Sequence, residues 1–572
     1  MHRVHARLTS RVTAAKGFVS QPEPRTIGLF ARGKQLIAGN LLFAGHLIEA
    51  PGKSLWDVDA PDEAFAEVIQ GFTWLDDLAA VGDARAREIA GLWVGDWIKT
   101  YGRGTGPGWT PELTGRRLIR LIHHATFLLR GRDKAFSDAF YQSLTHQAEF
   151  LARRWPATRP GVERFEALTG AIYAGHSLLG KESHATPAEA ALARECAAQI
   201  DEQGGLATRN PEELLEVLTL LNWAAEALNA ANRQVSKAHR EAVERIVPTL
   251  RALRHKDGSL ARFHGGGRGL DGRLDMALAA SGVKKQPHTG LRMGFARVSC
   301  GRSSVIVDAA APPTGRESHD AHASTLAFEL TSGRRPVIVN CGSGASFGEE
   351  WRRAGRATPS HSTLGLEGYS SSRLGKASGL SGLSRELLID VPAKVSAESN
   401  KHDDSQRIEL FHDGYQKLFG LTHGRTLELS LDGRALIGED YLAAITKEDH
   451  GLFDKALDRS SLQGIPYDIR FHLHPEVDVS MDLGGAAISL ALKSGEVWVF
   501  RQDGSAEMRL EPSVYLENGR LRPRATQQVV LSGRAMSYAT RVRWSLAKAH
   551  ETPSVVRDLV QDGTLATPDV QD

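Results

Sequence analysis

Residues 316–344 read RESHDAHASTLAFELTSGRRPVIVNCGSG, and residues 356–368 read RATPSHSTLGLEG. Three runs within them, at 325–331, 334–340 and 362–367, combine apolar with β-branched residues, as half-buried strands do. Polar side chains stand at the edges of these runs: His319, Asp320, His322, Asn340 and His361. If neighbouring strands pair, these groups converge. The segment therefore predicts a sheet that carries a metal site or an acid/base site.

The chain before this segment has a helical pattern from about residue 60 to 255. Phe72, Leu75 and Leu78, for example, recur at a spacing of three, which places them on one face of a helix. Loops rich in Gly, Pro and Asp separate about eight such runs. The pattern predicts an all-α layer, and antiparallel helix pairs that close into a partial α/α toroid would suit it.

One helix start is visible in the residue types alone. Asn210 can cap the helix, and Pro211 fits the first helical position because its missing N–H needs no partner there. Glu213 stands where a capping-box carboxylate reaches back to the cap.

The chain after this segment consists of short alternating runs. In YDIRFHLH, at 467–474, three apolar residues face one way and Arg470, His472 and His474 face the other. We interpret the polar face as a sandwich exterior, although paired metal ligation by the two histidines is geometrically open. Many short strands separated by turns predict an antiparallel β-sandwich.

The predicted domain organisation follows these changes of pattern. An N-terminal segment, 1–55, packs on a toroid at 56–270, and a β-sandwich at 271–555 precedes a loosely held tail at 556–572. A Gly/Arg-rich stretch at 255–286 is interpreted as the linker between the toroid and the sandwich.

Composition limits the classes of function. The net charge of +2 over 572 residues gives no global case for nucleic-acid binding. Three widely spaced cysteines indicate neither a disulfide framework nor a zinc ribbon. The basic N-terminus lacks the apolar core of a secretory signal, and the apolar run at 36–48 is too short to span a bilayer. We therefore expect a cytoplasmic protein, ahead of a periplasmic or membrane-peripheral one, and a homodimer stays open.

Several blocks of the chain resemble the heparinase II/III-like family of polysaccharide lyases. They are TWLDDLAAVGDARAREIAGLWVGDWI, WTPELTGRRLIRLIHHATFLL, GGLATRNPEELLE and the two β motifs quoted above. The resemblance implies a toroid followed by a sandwich. It also implies β-elimination of an acidic, uronate-containing glycan and a structural Zn²⁺ as the only cofactor.

The family's functional positions can be carried over one by one. His322 and His361 match the metal-ligand histidines, and Asn340 stands where the family has a metal-ligand Asp. Asp320 occupies the place of a catalytic His, and Glu213 that of a catalytic Tyr. The stretch RFEALTGAIYAG, at 164–175, lacks the family's Asn-His pair.

The candidate roles are therefore as follows. His319, Asp320 and Glu213 are catalytic candidates, since a histidine needs a partner to fix its tautomer. Arg209, Asn210 and Arg356 are candidates to bind a substrate carboxylate. His322, Asn340 and His361 form the candidate metal set.

Each of these candidates also has a purely structural interpretation. The metal set could be a hydrogen-bonded polar cluster, and His319 with Asp320 could be ordinary loop residues. Glu213 could be a helix cap, and Arg209 could bond neighbouring carbonyl groups. Arg352, Arg353 and Arg356 belong to a run that is interpreted as a basic loop, either solvated or facing an acidic ligand. The tryptophans at 74, 93, 97 and 109 could stack on sugars or form core.

Three functions are compatible with these residues. The first is a divergent lyase acting on an acidic glycan by β-elimination. The second is a non-catalytic glycan-binding or cell-envelope protein on the same fold. The third is a glycoside hydrolase that uses Glu212 or Glu213 with Asp320 as a carboxylate pair.

Overall fold

The computed structural model describes residues 1–19, 23–284, 290–376 and 386–549. The predicted tail at 556–572 lies outside these residues. Within them, an N-terminal helical region precedes two antiparallel sheets, as the sequence predicts.

Thirteen helices are described before the first strand of the sandwich. They are α1 (His2–Thr9), α2 (Phe30–Ile37), α3 (Glu63–Gln70), α4 (Trp74–Val81), α5 (Ala84–Tyr101), α6 (Pro111–His123), α7 (Ala125–Leu129), α8 (Lys134–Arg154), α9 (Val162–Ser177), α10 (Glu182–Gln199), α11 (Pro211–Ala230), α12 (Lys237–Ala252) and α13 (Arg273–Ala280). A hairpin of β1 (Asn40–Phe43) and β2 (His46–Glu49) follows α2.

The helices form two layers. Helices α6, α9 and α11 pack side by side in one layer, and α8, α10 and α12 lie behind them in the other. The contact between α6 and α9 is close because glycines meet there: a Cβ added to Gly170 would lie 2.4 Å from the Cα of Gly115. These layers form the predicted α/α toroid.

The helical region continues past residue 270, where the sequence placed its end. Leu274, Ala277 and Leu278 of α13 belong to the helical core. Their spacing of three and four is typical of a helix. The run was not predicted as a helix because it has only eight residues and follows a Gly/Arg-rich stretch.

The sandwich contains the remaining strands and three further helices. The strands are β3 (Phe295–Cys300), β4 (Ser303–Asp308), β5 (Phe328–Ser332), β6 (Arg335–Val339), β7 (Leu364–Leu366), β8 (Arg373–Leu374), β9 (Leu388–Ile389), β10 (Val395–Lys401), β11 (Ser405–Tyr415), β12 (Leu421–Ser430), β13 (Ala435–Ala443), β14 (Ile465–Leu473), β15 (Asp478–Asp482), β16 (Ala487–Ala491), β17 (Val497–Gln502), β18 (Glu507–Tyr515), β19 (Arg524–Ala535) and β20 (Ala539–Lys548). The helices are α14 (Glu349–Arg356), α15 (Gln416–Phe419) and α16 (Lys447–Arg459).

Two eight-stranded antiparallel sheets face each other. One has the order β10-β11-β12-β13-β20-β17-β16-β15. The other has the order β18-β19-β14-β6-β5-β4-β3, with β7 paired to β14. A second hydrophobic core fills the space between them, and it includes Phe328, Phe471 and Trp544.

Residues 316–368 supply β5, β6 and β7 of the second sheet. The basic run at their centre forms α14 and not the predicted loop. Glu349 and Glu350 lie in the first turn, and Arg353 and Arg356 in the last. These charges suit the helix dipole at both ends, which explains why so polar a run becomes helical.

The four tryptophans raised as sugar-stacking candidates, Trp74, Trp93, Trp97 and Trp109, are at most 5% exposed and belong to the helical core. None of the described helices combines the length and the apolarity that a bilayer crossing needs.

Candidate functional site

The N-terminus of α11 lies where the toroid meets the sandwich. Asn210 caps the helix as predicted, because its side chain accepts hydrogen bonds from the N–H groups of Glu212 and Glu213. Glu213 does not complete a capping box. It accepts a hydrogen bond of 2.6 Å from the hydroxyl of Thr208 and a longer one from the Asn210 amide.

His319 and Asp320 come from the sandwich and lie near Glu213. Burial raises the pKa of Glu213, and the charges of Asp320 and Glu317 add to the rise while that of His319 opposes it. Three predicted catalytic residues from two domains are thus close enough to interact electrostatically. The side chains of His319 and Asp320 are 28% and 36% exposed, so a ligand can reach them.

Both ring nitrogens of His319 lie near oxygen atoms of the protein. Its Nδ1 lies 3.1 Å from the carbonyl of Arg316, and its Nε2 lies 3.1 Å from Oδ2 of Asp320. A carbonyl oxygen only accepts hydrogen bonds, so Nδ1 is the donor to Arg316. Nε2 faces the Asp320 carboxylate at ion-pair distance.

Arg352, which the sequence grouped only with a basic loop, holds this pair in place. It donates to Oδ1 of Asp320 at 3.0 Å and to the carbonyl of His319 at 2.7 Å. We call Glu213, His319, Asp320 and Arg352 the junction cluster. Arg352 could not be singled out from the sequence, because α14 carries four arginine and glutamate neighbours of similar type.

A glycine loop, residues 264–269, closes against the junction cluster. Gly265 has a φ of +88°, and a Cβ there would lie 3.0 Å from Cβ of Asp320. A Cβ on Gly266 would lie 2.5 Å from Oδ1 of Asn210. These glycines permit close contact between the two domains.

Arg209 is fully engaged by the protein. It adopts a φ of +53°, and its guanidinium makes five hydrogen bonds. The acceptors are the carbonyls of Met293, Gly294, Ala310 and Ala311 and Oδ1 of Asp308. A guanidinium has five N–H donors, so none remains for a substrate carboxylate in this arrangement.

Arg356 is also directed into the protein. It is 1% exposed and donates to the carbonyls of Ser318, Ala321 and Glu386. Burial lowers its pKa to about 10, which leaves it charged at neutral pH. Arg356 therefore anchors the segment that carries His319 and Asp320. Substrate binding by Arg209, Asn210 or Arg356 stays a prediction.

The three candidate metal ligands lie close together but are bonded to the protein. Nδ1 of His322 lies 3.0 Å from Nε2 of His361, whose Nδ1 donates to the carbonyl of Ala357. The Asn340 amide accepts from the N–H of Ser362 and donates toward Glu329. Burial holds the pKa of both histidines below the usual range, to about 4 for His361.

The described residues offer a zinc ion only part of a ligand set. Nε2 of His322 is the one ring nitrogen of the pair without a hydrogen-bond partner. Across the described ranges, no group of three or more His, Cys, Asp or Glu side chains is arranged to hold a metal. Asn340 also supplies no negative charge in place of the family's Asp. Zinc binding stays a prediction, and no chemical step below depends on it.

His472 and His474 are not on a sandwich exterior, contrary to the interpretation from the sequence. They are 3% and 8% exposed. Nε2 of His472 donates to the carbonyl of Pro359, and its Nδ1 bonds Ser513. Segments far away in sequence cover this face, so the alternation of the strand could not indicate it.

The comparisons with known proteins agree with this architecture. Residues 282–545 match the family described as Heparinase II/III-like, C-terminal. FtsZ-localized protein C of Caulobacter vibrioides (strain NA1000 / CB15N) is 30% identical over 564 residues, covering 95% of this chain and 92% of that protein.

Solved structures of lyases share the fold over nearly the whole chain. A crystal structure of heparinase III gives a TM-score of 0.67 at 12% identity, covering 96% of this chain and 89% of that one. Heparan sulfate lyase HepC from Pedobacter heparinus gives 0.54 at 12% identity, covering 97% and 88%. At such identities the likeness concerns the fold alone.

Proposed function

Since this chain belongs to the heparinase II/III-like family, we propose that it cleaves an acidic, uronate-containing glycan by β-elimination at the junction of toroid and sandwich. The observation that carries the proposal is the convergence of Glu213 from the toroid with His319 and Asp320 from the sandwich. The names of the two solved relatives, heparinase III and heparan sulfate lyase, support an acidic glycan as the substrate class.

The junction cluster contains the groups that elimination needs. A base removes the proton at C5 of the uronate, the C4–O bond breaks as the C4=C5 double bond forms, and an acid protonates the departing oxygen. Glu213 is the proposed base, because its raised pKa makes the carboxylate a better proton acceptor. His319 is the proposed acid, because its ring is partly exposed and faces the Asp320 carboxylate, which can stabilise a protonated imidazole.

Asp320 and Arg352 are proposed as positioning residues. Asp320 balances the charge of the His319 imidazolium, as a carboxylate paired with histidine does in other proton-transfer sites. Arg352 in turn restrains both residues through Asp320 and the His319 carbonyl.

The substitution Glu213→Gln tests the proposed base. Removing a general base is expected to lower turnover about 10²- to 10⁴-fold. Wild type and variant are incubated with galacturonate, mannuronate and glucuronate polymers, and the unsaturated product is followed by its ultraviolet absorbance. Glu226→Gln, on the same helix but paired with Arg25, is the matched control and should retain wild-type turnover.

Two results would contradict the proposal. Failure of the wild type to release unsaturated product from every polymer would exclude elimination on these substrates. Products that carry added water and no double bond would instead support the hydrolase interpretation.

A second candidate function is a non-catalytic glycan-binding protein that acts in cell-envelope assembly. The relative named FtsZ-localized protein C favours it, since it is similar over 95% of this chain and its name records a location and no enzymatic activity. Glycan binding without turnover, unchanged by His319→Ala, would support this candidate over the lyase.

A further inference from the structure

A cavity of about 360 Å³ opens beside the junction cluster, between α2, the glycine loop and the loop that follows β18. We call it the arginine cavity, after its charged lining residues: Arg32, Arg262, Arg268, Arg520, Glu212, Asp271 and Glu517. Its volume suits a sugar unit with an attached acidic group.

The positive charges at this cavity exceed the negative charges that pair with them. Three arginines approach the single carboxylate of Glu517: Arg520 at 3.2 Å, and Arg268 and Arg524 at 3.9 Å each. Asp271 is the other carboxylate bonded to Arg268. Over the whole lining, four arginines face the three carboxylates of Glu212, Asp271 and Glu517, and Asp271 is 66% exposed, where solvent weakens its effect.

Arg262 adds a buried charge to the same wall. It is 6% exposed, and its guanidinium donates to the carbonyls of Asn340, Cys341 and Leu516. Carbonyl groups satisfy the donors but do not neutralise the charge. The cavity wall therefore keeps a positive potential, which attracts an anion.

The pKa of the neighbouring His474 is affected by the same positive charges. Burial lowers its pKa to about 3, and the nearby charges of Arg524, Arg262 and Arg268 act in the same direction. Two of these arginines, Arg262 and Arg268, line the cavity and disfavour a further positive charge beside it.

The glycine loop connects the cavity with the junction cluster. On one side, Gly265 lies against Asp320. On the other, the N–H of Gly267 donates to Glu212, which lines the cavity. A ligand extending along this loop by one or two sugar units can contact both places.

We propose that the arginine cavity binds a carboxylate of the acidic glycan, through Arg268 and Arg520. This inference rests on the proposed function. It assigns the binding of the substrate's charge to these two residues instead of Arg209 and Arg356, whose donors the protein occupies. Arg268 and Arg520 are 32% and 25% exposed, so their guanidinium groups can turn toward a ligand.

Matched acidic and neutral ligands test the proposal. Trigalacturonate, trimannuronate and a hyaluronan tetrasaccharide are each titrated calorimetrically against their methyl esters, which keep the shape and remove the charge. Wild type should bind at least one acid more tightly than its ester. Arg268→Gln and Arg520→Gln should each weaken that acid about tenfold and leave ester binding unchanged.

Arg85→Gln is the matched control, because Arg85 is an exposed arginine paired with Glu88 on α5 and lies outside the cavity lining. Its affinity for the acid should equal that of the wild type. Thermal unfolding of all variants establishes that they fold.

Binding and product formation are measured separately, so the two proposals can fail separately. Arginine-dependent binding of the acid without unsaturated product would support the cavity and exclude elimination. Product formation that neither arginine variant changes would overturn the cavity proposal and leave elimination standing. Equal affinity for every acid and its ester would also overturn the cavity proposal.

Discussion

His123 is a buried polar residue that is expected to lower the stability of the fold. It is 1% exposed, and neither ring nitrogen has a hydrogen-bond partner in the part of the chain that the structure describes. Its ring packs edge-on against Tyr173 and Trp223, at centroid distances of 5.0 and 5.6 Å. Burial lowers its pKa to about 3, so it packs as a neutral ring.

We therefore expect His123→Phe to stabilise the protein by about 1 kcal/mol, because it removes two unsatisfied polar atoms and keeps an aromatic ring in place. Chemical denaturation measures the change. His239→Phe is the contrasting variant: His239 is also buried, but its Nε2 donates to the carbonyl of Leu221. Loss of stability in His123→Phe would indicate that the ring nitrogens have partners.

At the scale of elements, the packing of α6 on α9 depends on two glycines. A Cβ on Gly170 would lie 2.4 Å from Cα and 2.7 Å from the carbonyl oxygen of Gly115, and backbone atoms cannot turn away as a side chain can. Gly170→Ala should destabilise the protein by about 1–3 kcal/mol, because the helices must separate.

Gly95→Ala, in α5, provides the control for helix propensity. Its added Cβ would meet Phe136 at 3.5 Å, an ordinary contact, so the change should be neutral or stabilising by up to about 1 kcal/mol. Urea unfolding of both variants gives the comparison. Equal stabilities of the two variants would mean that the helices can separate without cost.

Elements also differ in how well the sequence predicted them. At the start of α11, the roles of Asn210 and Pro211 were predicted from the sequence, since an Asn-Pro pair acts locally, whereas the capping box of Glu213 was not found. Helix α14 was not predicted, because its run of charges lacks the apolar stripe by which a helix is recognised in a sequence. Its charges instead suit the helix dipole at both ends. The partners of Asn340 could not be predicted either, since Glu329 and Ser362 reach it through strand pairing.

At the scale of the whole molecule, Arg209 links the toroid to the sandwich. Burial alone would raise the pKa of Asp308, but Arg209 and His264 hold it well below the usual range. Arg209→Ala leaves this carboxylate, which is 0% exposed, without its strongest partner. We expect a loss of about 3–5 kcal/mol, as for other broken buried ion pairs.

Differential scanning calorimetry of Arg209→Ala measures this loss and shows whether the toroid and the sandwich still unfold in one transition. Arg209→Ala with Asp308→Asn should recover part of the loss, because the second change removes the unpaired charge. A double variant as unstable as the sum of the two single ones would contradict the direct coupling of these residues.

Buried histidines make the stability of the whole chain depend on pH. Burial lowers the pKa of five of them to about 3 or 4: His123, His239, His361, His472 and His474. A folded-state pKa below the unfolded value of about 6.5 gives stability that is present above pH 6.5 and lost as the pH falls toward 4. Each histidine contributes a slope of about 1.4 kcal/mol per pH unit.

Asp77, with a pKa of about 6, and Glu213 have raised pKa values, so they favour the folded state as the pH falls. They oppose the effect of the histidines but are fewer in number. The melting temperature should therefore fall steeply between pH 6.5 and 4. Melting curves recorded across this range check the expectation, and a constant melting temperature down to pH 4 would contradict it.

The sequence by itself determined the two-domain architecture, the cap at Asn210 and the residues that could carry chemistry. Periodicity and capping act over a few neighbouring residues, so a single chain displays them. The tertiary structure alone decided which polar groups meet. It brought Glu213 to His319 and Asp320, bonded all donors of Arg209 to the protein, and gathered Arg268, Arg520 and Arg524 around one carboxylate. The contacts of Glu213 with His319, of Arg209 with Asp308 and of Arg268 with Glu517 join residues about 100 or more positions apart, and only the packing of toroid on sandwich fixes them.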